Sequence, residues 1–300
     1  MSEEMKHCGF VAVIGAPNAG KSTLVNQIIG TKVSIVSPKV QTTRFRIRGI
    51  AMAGQTQIVF VDTPGIFEPK KRLERAMVSA AWMGAQDADL VCLVVDAIRG
   101  RDEQTRAIIE RLKTSRRECF LVLNKVDLIQ RERLLALAAE LNERGVFAQT
   151  FMISALNGDG VSDLEKALAA RMPEGEWMFP DDEVSDLPQR LLAAEITREK
   201  LFHNLHQELP YALSVITESW EEKPDGSARI ELTIYVSRDS QKGIVLGQGG
   251  KRLKAIGQQA RRELEELLDR KVHLFLFVKV HDRLWEDSTQ FSEWGLDFDV

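Results

Sequence analysis

Residues 15–22 read Gly15-Ala16-Pro17-Asn18-Ala19-Gly20-Lys21-Ser22. The glycine spacing, followed by Lys and Ser, matches the G-x-x-x-x-G-K-[ST] loop, in which backbone N–H groups point inward around phosphate oxygens and a helix N-terminus adds its positive end. Such a loop must leave a strand and open a helix. The apolar run Gly9–Ile14 before it and the helical pattern Lys21–Ile29 after it supply both. A chance match somewhere in 300 residues has a probability of roughly 1%, and the strand-loop-helix context lowers it further. Lys21 is therefore the candidate to neutralise β- and γ-phosphates. The Ser22 hydroxyl, beside Thr23, is the candidate ligand for Mg²⁺.

Outward from this loop, short β-rich runs alternate with helical patterns as far as Met172, the signature of βαβ units around a parallel sheet. Strands are expected at Gly9–Ile14, Phe45–Ala53, Gln57–Asp62, Leu90–Asp96, Cys119–Asn124 and Thr150–Ser154, and helices at Lys21–Ile29, Lys71–Ala85, Asp102–Thr114, Arg131–Arg144 and Val161–Arg171. Residues 1–172 thus read as a doubly wound α/β domain with a mostly parallel sheet. Pro173, Gly175, Pro180 and Pro188, with the acidic Asp181-Asp182-Glu183, break the pattern, so 173–188 reads as a linker. Residues 189–300 read as a smaller α+β domain: helix Gln189–Leu209, strand Tyr211–Ser219, strand Arg229–Val236, a glycine loop, helix Lys251–Leu268, strand Lys271–Val280 and an acidic, aromatic tail from Arg283.

Composition narrows the class. No apolar run approaches the roughly 18 residues of a membrane span. The acidic start Met1-Ser2-Glu3-Glu4-Met5-Lys6 lacks the features of a secretory or transit peptide, so a cytoplasmic protein is expected. Cys8, Cys92 and Cys119 are too few for a disulfide framework. The five histidines show no metal-ligand spacing. A net charge of −4 argues against a wholesale nucleic-acid binder.

Further motifs fall at strand ends. In Asp62-Thr63-Pro64-Gly65, the acid would hold Mg²⁺ through water and the Gly65 N–H is free for a γ-phosphate. Gln41-Thr42-Thr43-Arg44 lies in a polar stretch, where a threonine hydroxyl would complete the Mg²⁺ shell only when the γ-phosphate is present. Thr43 is favoured and Thr42 is the alternative. Asn124-Lys125-Val126-Asp127 and Ser154-Ala155-Leu156 follow the fifth and sixth strands. The two Asp127 oxygens match the adjacent N1–H and amino donors of guanine, and adenine offers no such pair, so GTP and GDP are the expected nucleotides. Asn124 would meet the N7 and O6 edge, the Lys125 stem would cover the ring, and the Ala155 N–H would meet O6. Lys21, Thr43 and Gly65 are the catalytic candidates.

The second domain carries Gly247-Gln248-Gly249-Gly250, a G-x-x-G loop between two helical pieces, within the α-β-β-α-α-β order of type II KH domains. In that fold the loop backbone clamps about four single-stranded nucleotides. Residues 240–262 hold six basic side chains, Lys242, Lys251, Arg252, Lys254, Arg261 and Arg262, and no acidic one. Residues 185–300 as a whole carry 16 basic and 20 acidic side chains, so the positive footprint is a stripe. Lys242, Lys251, Arg252 and Lys254 are the RNA candidates. Arg261 and Arg262 lie farther along the helix. The aromatic tail, Trp285, Phe291, Trp294 and Phe298, is expected to pack on this domain, because its acids would repel anionic lipid.

The motifs of the first domain are similar to those of the Ras-like translation-factor-class GTPases, in the branch with the Gly-x-Pro-Asn-x-Gly-Lys-Ser loop. Gly65 is followed by Ile66 and Phe67, where Ras-type enzymes place a water-orienting glutamine. The resemblance implies that Asn18 holds a monovalent cation, K⁺, beside the β- and γ-phosphates, with slow intrinsic hydrolysis. Joined to a type II KH domain, this P-loop GTPase domain resembles the Era family of bacterial GTPases over nearly the whole chain. That resemblance implies binding near the 3′ end of 16S ribosomal RNA and a role in assembly of the small (30S) ribosomal subunit, with the GTP state deciding whether the KH domain is presented. It also implies peripheral association with the cytoplasmic face of the inner membrane. A monomer without a DNA partner is expected. Ala16 departs from the pattern, standing where relatives often carry a basic residue. The alternative is a GTPase of an RNA-modification system acting on transfer RNA, which needs a further catalytic group such as a reactive cysteine.

Overall fold

In the computed structural model, which describes residues 5–115, 117–143, 146–206, 209–281 and 288–300, strand and helix alternate through the first half of the chain. β1 (His7–Ile14) leads into α1 (Lys21–Ile29), then β2 (Ile47–Ala53), β3 (Thr56–Asp62), α2 (Arg72–Asp87), β4 (Leu90–Asp96), α3 (Glu103–Leu112), β5 (Glu118–Asn124), α4 (Arg131–Asn142), β6 (Gln149–Ile153) and α5 (Val161–Ala169). The strand order is β2-β3-β1-β4-β5-β6, parallel throughout except for β2 at the edge. Hydrophobic cores form on both faces, one around Leu93, Leu121 and Leu137, the other around Val13, Phe60 and Leu164. A sheet covered on both faces makes its strands apolar without alternation, and every residue of β4 is buried. β1 has β3 on one side and β4 on the other. In doubly wound sheets ligands bind at the carboxyl ends of the strands at this reversal of winding, which is where the loop 15–20 leaves β1.

The chain divides into two units, Met1–Asp186 with Gln290–Val300, and Leu187–Thr289. This corrects two expectations. Most of the stretch 173–188 is strapped along the first unit. The buried Gln57 amide accepts from the Met178 and Phe179 N–H groups at 2.9 and 3.1 Å and donates to Phe179 O at 2.8 Å. The free edge of β2 takes up the rest: Ile50 N–H donates to Val184 O, and Arg48 pairs with Asp186 at 2.8 Å. The tail also belongs to the first unit rather than to the smaller domain. Phe291 and Leu296 are buried, the Arg72 guanidinium stacks on Phe298 at 4.4 Å, and Arg75 Nε donates to Val300 O at 3.0 Å. These arginines hold the aromatic segment by cation–π stacking and a hydrogen bond together. Trp285, with Arg283, Glu286 and Asp287, lies outside the described residues.

The second unit contains α6 (Gln189–Asn204), β7 (Leu213–Glu222), β8 (Ala228–Val236), α7 (Asp239–Leu246), α8 (Lys251–Leu268) and β9 (Val272–Val280). Its sheet is β7-β8-β9, with β7 and β8 antiparallel and β8 and β9 parallel. Val245, Ile256, Ala260 and Leu264 from α7 and α8 bury against Ile230, Leu232 and Ile234 of β8. α6 ends at Asn204, short of the expected Leu209, and residues 207–208 lie outside the described residues.

Candidate functional site

Gly15 leaves β1 where a Cβ would stand 2.3 Å from Val94 O, and Gly20, at φ +94°, opens α1 where a Cβ would stand 2.2 Å from Asn124 Nδ2. No side chain fits at either position, so the backbone is free to line the cleft of about 410 Å³ above it. Lys21 is buried at the start of α1 and donates from Nζ to Gly15 O and Ala16 O at 3.2 and 3.0 Å. Burial pushes its pKa down to about 8, against the attraction of Asp62. A polyphosphate in the loop supplies the counter-charge that these carbonyls do not.

Three oxygen-bearing side chains meet beside it. Ser22 Oγ lies 2.9 Å from Thr43 Oγ1 and donates to Asp62 Oδ2 at 2.6 Å. Asp62 is buried, which raises its pKa above the ordinary value against the opposing Ser22 bond and Lys21 charge. Its Oδ1 has no hydrogen-bond partner among the described residues. Two hydroxyls and a buried, half-satisfied carboxylate are an all-oxygen donor set that fits Mg²⁺. Thr42 turns away and donates to Lys39 O at 2.7 Å.

The turn after β3 presses on the phosphate loop. A Cβ at Gly65 would come within 2.8 Å of Pro17, and Ile66 N–H donates to Gly15 O at 3.0 Å. The Thr63 hydroxyl donates to Val13 O at 2.8 Å, so it anchors the turn, and Pro64 has no N–H to give. Ile66 is buried in the core and turns no polar group to the cleft. Asn18, at φ +64°, donates from Nδ2 to Pro38 O at 2.8 Å, joining the loop to the segment that carries Thr43.

At the other end of the cleft Asn124 ties three loops together. Its Nδ2 donates to Ala19 O at 2.8 Å, and its Oδ1 accepts from Lys125 N–H at 2.8 Å and Ala155 N–H at 2.9 Å. The Ala155 N–H expected to meet O6 is thus spent on Asn124. Ser154 Oγ accepts from Asn157 N–H at 3.3 Å. Asp127 is exposed on a short 3₁₀ turn, and Leu156 is 78% exposed, an apolar surface that a purine ring would cover. Lys125, at φ +67°, pairs through Nζ with Asp96 Oδ2 at 2.7 Å. Sequence reasoning missed Asp96 and its loop neighbour Arg99, which also lines the cleft. The available signal was an acid ending an apolar strand, as Asp62 does.

In the second unit, Gly247, Gly249 and Gly250 all take positive φ, at +68°, +58° and +74°, between α7 and α8. Nothing lies within 4 Å of a Cβ placed at Gly249 or Gly250, so that backbone is open to a ligand. Gln248, Lys251 and Lys254 are exposed or partly exposed around it, and Lys242 is half-buried on α7. Arg252 departs from the expectation. Its guanidinium donates to Ile244 O and closes the end of α7. Arg261 pairs with Glu265 at 4.0 Å, a helix-face contact well beyond the loop.

A phosphate loop on a doubly wound sheet, a three-oxygen cation site and a carboxylate at the base end define a P-loop GTPase, here joined to a KH domain. A family model described as "50S ribosome-binding GTPase" matches residues 10–125 and one described as "KH domain" matches residues 208–283. The chain is 60% identical to the GTPase Era of Afipia carboxidovorans over 99% of this chain and 98% of that one, and 61% identical to that of Rhizobium meliloti over 97% and 93%. It is similar to the crystal structure of an Aquifex aeolicus Era variant bound to GDP and AlF4⁻, with TM-score 0.91, 38% identity and coverage of 98% and 100%. A crystal structure of Era in complex with MgGDPNP and nucleotides 1506–1542 of 16S ribosomal RNA gives TM-score 0.92 at 38% identity, covering 97% and 99%. The chain belongs to the Era family of GTPases.

Proposed function

We propose that this GTPase is a nucleotide-driven switch that binds 16S ribosomal RNA near its 3′ end through the KH loop and acts in assembly of the small ribosomal subunit. The observation that carries the reading is the pairing of a complete GTP site with an open glycine loop, in a chain similar along its length to an Era bound to that RNA. Ser22, Thr43 and Asp62 would hold Mg²⁺, which draws charge from the β- and γ-phosphates. Lys21 neutralises the same oxygens, the Gly65 N–H reports the γ-phosphate, and Asp127 selects guanine. Thr43 joins the nucleotide to the 30–46 segment, so loss of the γ-phosphate releases that segment. In this reading the protein acts as a monomer in the cytoplasm, with peripheral association at the cytoplasmic face of the inner membrane implied by its family. Among the described residues no helix is long and apolar enough to cross a membrane. The transfer-RNA alternative lacks support in the cysteines: all three are buried, and burial pushes Cys92 well above its ordinary value and Cys119 up to about 12.

Gly249→Asp tests the RNA half. Asp tolerates a left-handed backbone better than most residues, so the fold survives, while its carboxylate faces incoming phosphates. Affinity for an oligonucleotide from the 3′ end of 16S ribosomal RNA is expected to fall by about 10–100-fold, one to two contacts' worth, with GTP turnover retained. Unchanged RNA affinity counts against the loop, and lost turnover counts against independent domains. In cells, crosslinking that enriches transfer RNA over ribosomal RNA would overturn the assembly role.

K⁺ use is part of the proposal. Asn18 Nδ2 donates to Pro38 O at 2.8 Å beside the phosphate loop, and the other atom of that amide, Oδ1, is the neutral oxygen that would coordinate a weakly hydrated cation. Turnover is expected to be several-fold faster in KCl than in NaCl at matched ionic strength, and equal rates would remove K⁺ from the mechanism.

A further inference from the structure

We infer that Arg99 is a further catalytic residue, an arginine supplied in cis that contacts the phosphate chain of GTP as the β–γ bond breaks. Three observations place it there. First, its guanidinium lines the nucleotide cleft and donates from Nη1 to Pro17 O at 3.4 Å. Second, Pro17 is the residue against which Gly65 packs, within 2.8 Å of where a Gly65 Cβ would stand. Pro17 is thus touched both by the turn whose Gly65 N–H is assigned to the γ-phosphate and by Arg99, so the guanidinium reaches the phosphate loop although its backbone is anchored beside Asn124. Third, the backbone beneath Arg99 is fixed. Asp96 Oδ1 accepts from Ile98 N–H at 2.9 Å, Gly100 N–H donates to Asp96 O at 2.9 Å, and Ala97 N–H donates to Asn124 O at 2.9 Å.

The other cations of the cleft are committed. Lys21 is buried under the loop, and Lys125 is paired with Asp96 at 2.7 Å. Arg99 is exposed, and its one hydrogen bond among the described residues is long and goes to a neutral carbonyl. Phosphate oxygens attract a guanidinium more strongly than such a carbonyl does, through shorter, charge-assisted bonds. The remaining N–H groups of the fork are free to make them. The chemistry needs the charge: as water bonds to the γ-phosphorus, the bond from that phosphorus to the β–γ bridge oxygen breaks and its electron pair stays on the β-phosphate of the departing GDP, and the position after Gly65 offers only the buried Ile66. An arginine held at Pro17 O supplies that positive charge beside the phosphate loop.

The inference rests on the assignment of the Pro17–Gly65 edge as the γ-phosphate end, and its test reads chemistry separately from binding. In single-turnover hydrolysis at saturating GTP, Arg99→Ala is expected to be about 10–100-fold slower, below the full effect of an arginine finger because Lys21 and the loop N–H groups remain. GDP affinity should stay within about threefold of the parent protein, because the contact strengthens only as charge develops. Capture of aluminium fluoride with GDP should be lost, and Arg99→Lys should regain part of the rate, since it restores charge without the fork. An unchanged rate overturns the inference. So does an equal loss of rate and GDP affinity, which would make Arg99 a prop for the phosphate loop. Failure of the unaltered protein to bind GDP would instead overturn the reading of the site itself.

Discussion

Lys21→Ala is expected to abolish nucleotide binding and to leave the ligand-free fold at least as stable as before. Lys21 is buried with only two backbone carbonyls as partners, and burial pushes its pKa down to about 8. At neutral pH the folded protein therefore carries a charged ammonium in a place that disfavours the charge. Removing it relieves that cost and loses two hydrogen bonds, so the two effects on the empty fold largely cancel. With nucleotide present the balance reverses, because the ammonium then faces phosphate anions. Removing one partner of a buried charge pair costs about 3–5 kcal/mol, which is a loss of roughly 10²–10⁴-fold in GDP affinity. Calorimetry should show no GDP binding, and the melting temperature without ligand should be unchanged or higher. A second readout follows from the sign of the shift. A folded-state pKa below the unfolded one means that the empty protein binds fewer protons than the unfolded chain between about pH 8 and the ordinary lysine value, so this group's contribution to stability rises with pH across that window. GDP restores the proton, so binding to the unaltered protein above pH 8 should take up protons from buffer. Retained GDP affinity in the variant would remove Lys21 from the phosphate site.

Residues whose role is local were legible in the sequence, and those whose role depends on distant partners were not. Gly15 and Gly20 are demanded by the loop itself, since any Cβ there collides, and the same holds for the Gly247–Gly250 turn, whose positive φ values only glycine adopts freely. Buried parallel strands announce themselves as continuous apolar runs, so the expected strand Leu90–Asp96 has the same ends in the structure. Which acceptor a donor chooses is a tertiary matter. Nothing local says that the Ala155 N–H turns to Asn124, that the Thr63 hydroxyl reaches Val13, or that Arg252 closes α7. Between Thr42 and Thr43 the spacing leaves both open, and only folding places Thr43 at Ser22. The stretch 173–186 is not a free linker because the open β2 edge and the Gln57 amide hold it, and neither partner is visible in its proline-rich composition. Likewise the tail's Phe298 and Val300 answer to Arg72 and Arg75 of α2, which composition alone does not bring beside them.

Asp127→Asn is expected to exchange the base preference from guanine to xanthine. Asp127 is exposed on the turn after Lys125, and Asn has nearly the same shape, so the fold and the phosphate end should be unaffected. The donor pattern changes completely. The carboxylate accepts from the N1–H and amino groups of guanine together, whereas an amide has one acceptor and one donor and sets its NH₂ against one of those donors. Losing a charge-assisted pair and creating a donor–donor clash should cost GTP about 3–4 kcal/mol, or 10²–10³-fold in affinity. Xanthine carries a carbonyl where guanine carries the amino group, so the carboxylate of the unaltered protein repels it, and the amide that replaces this carboxylate in the variant donates to it. The ratio of XTP to GTP affinity should therefore rise by about 10³-fold or more, the sum of one gain and one loss. Competition against a fluorescent GDP analogue measures both affinities on the same sample. If GTP weakens and XTP does not gain, Asp127 supports the turn without reading the base. If neither changes, the base lies elsewhere in the cleft and the selectivity argument fails.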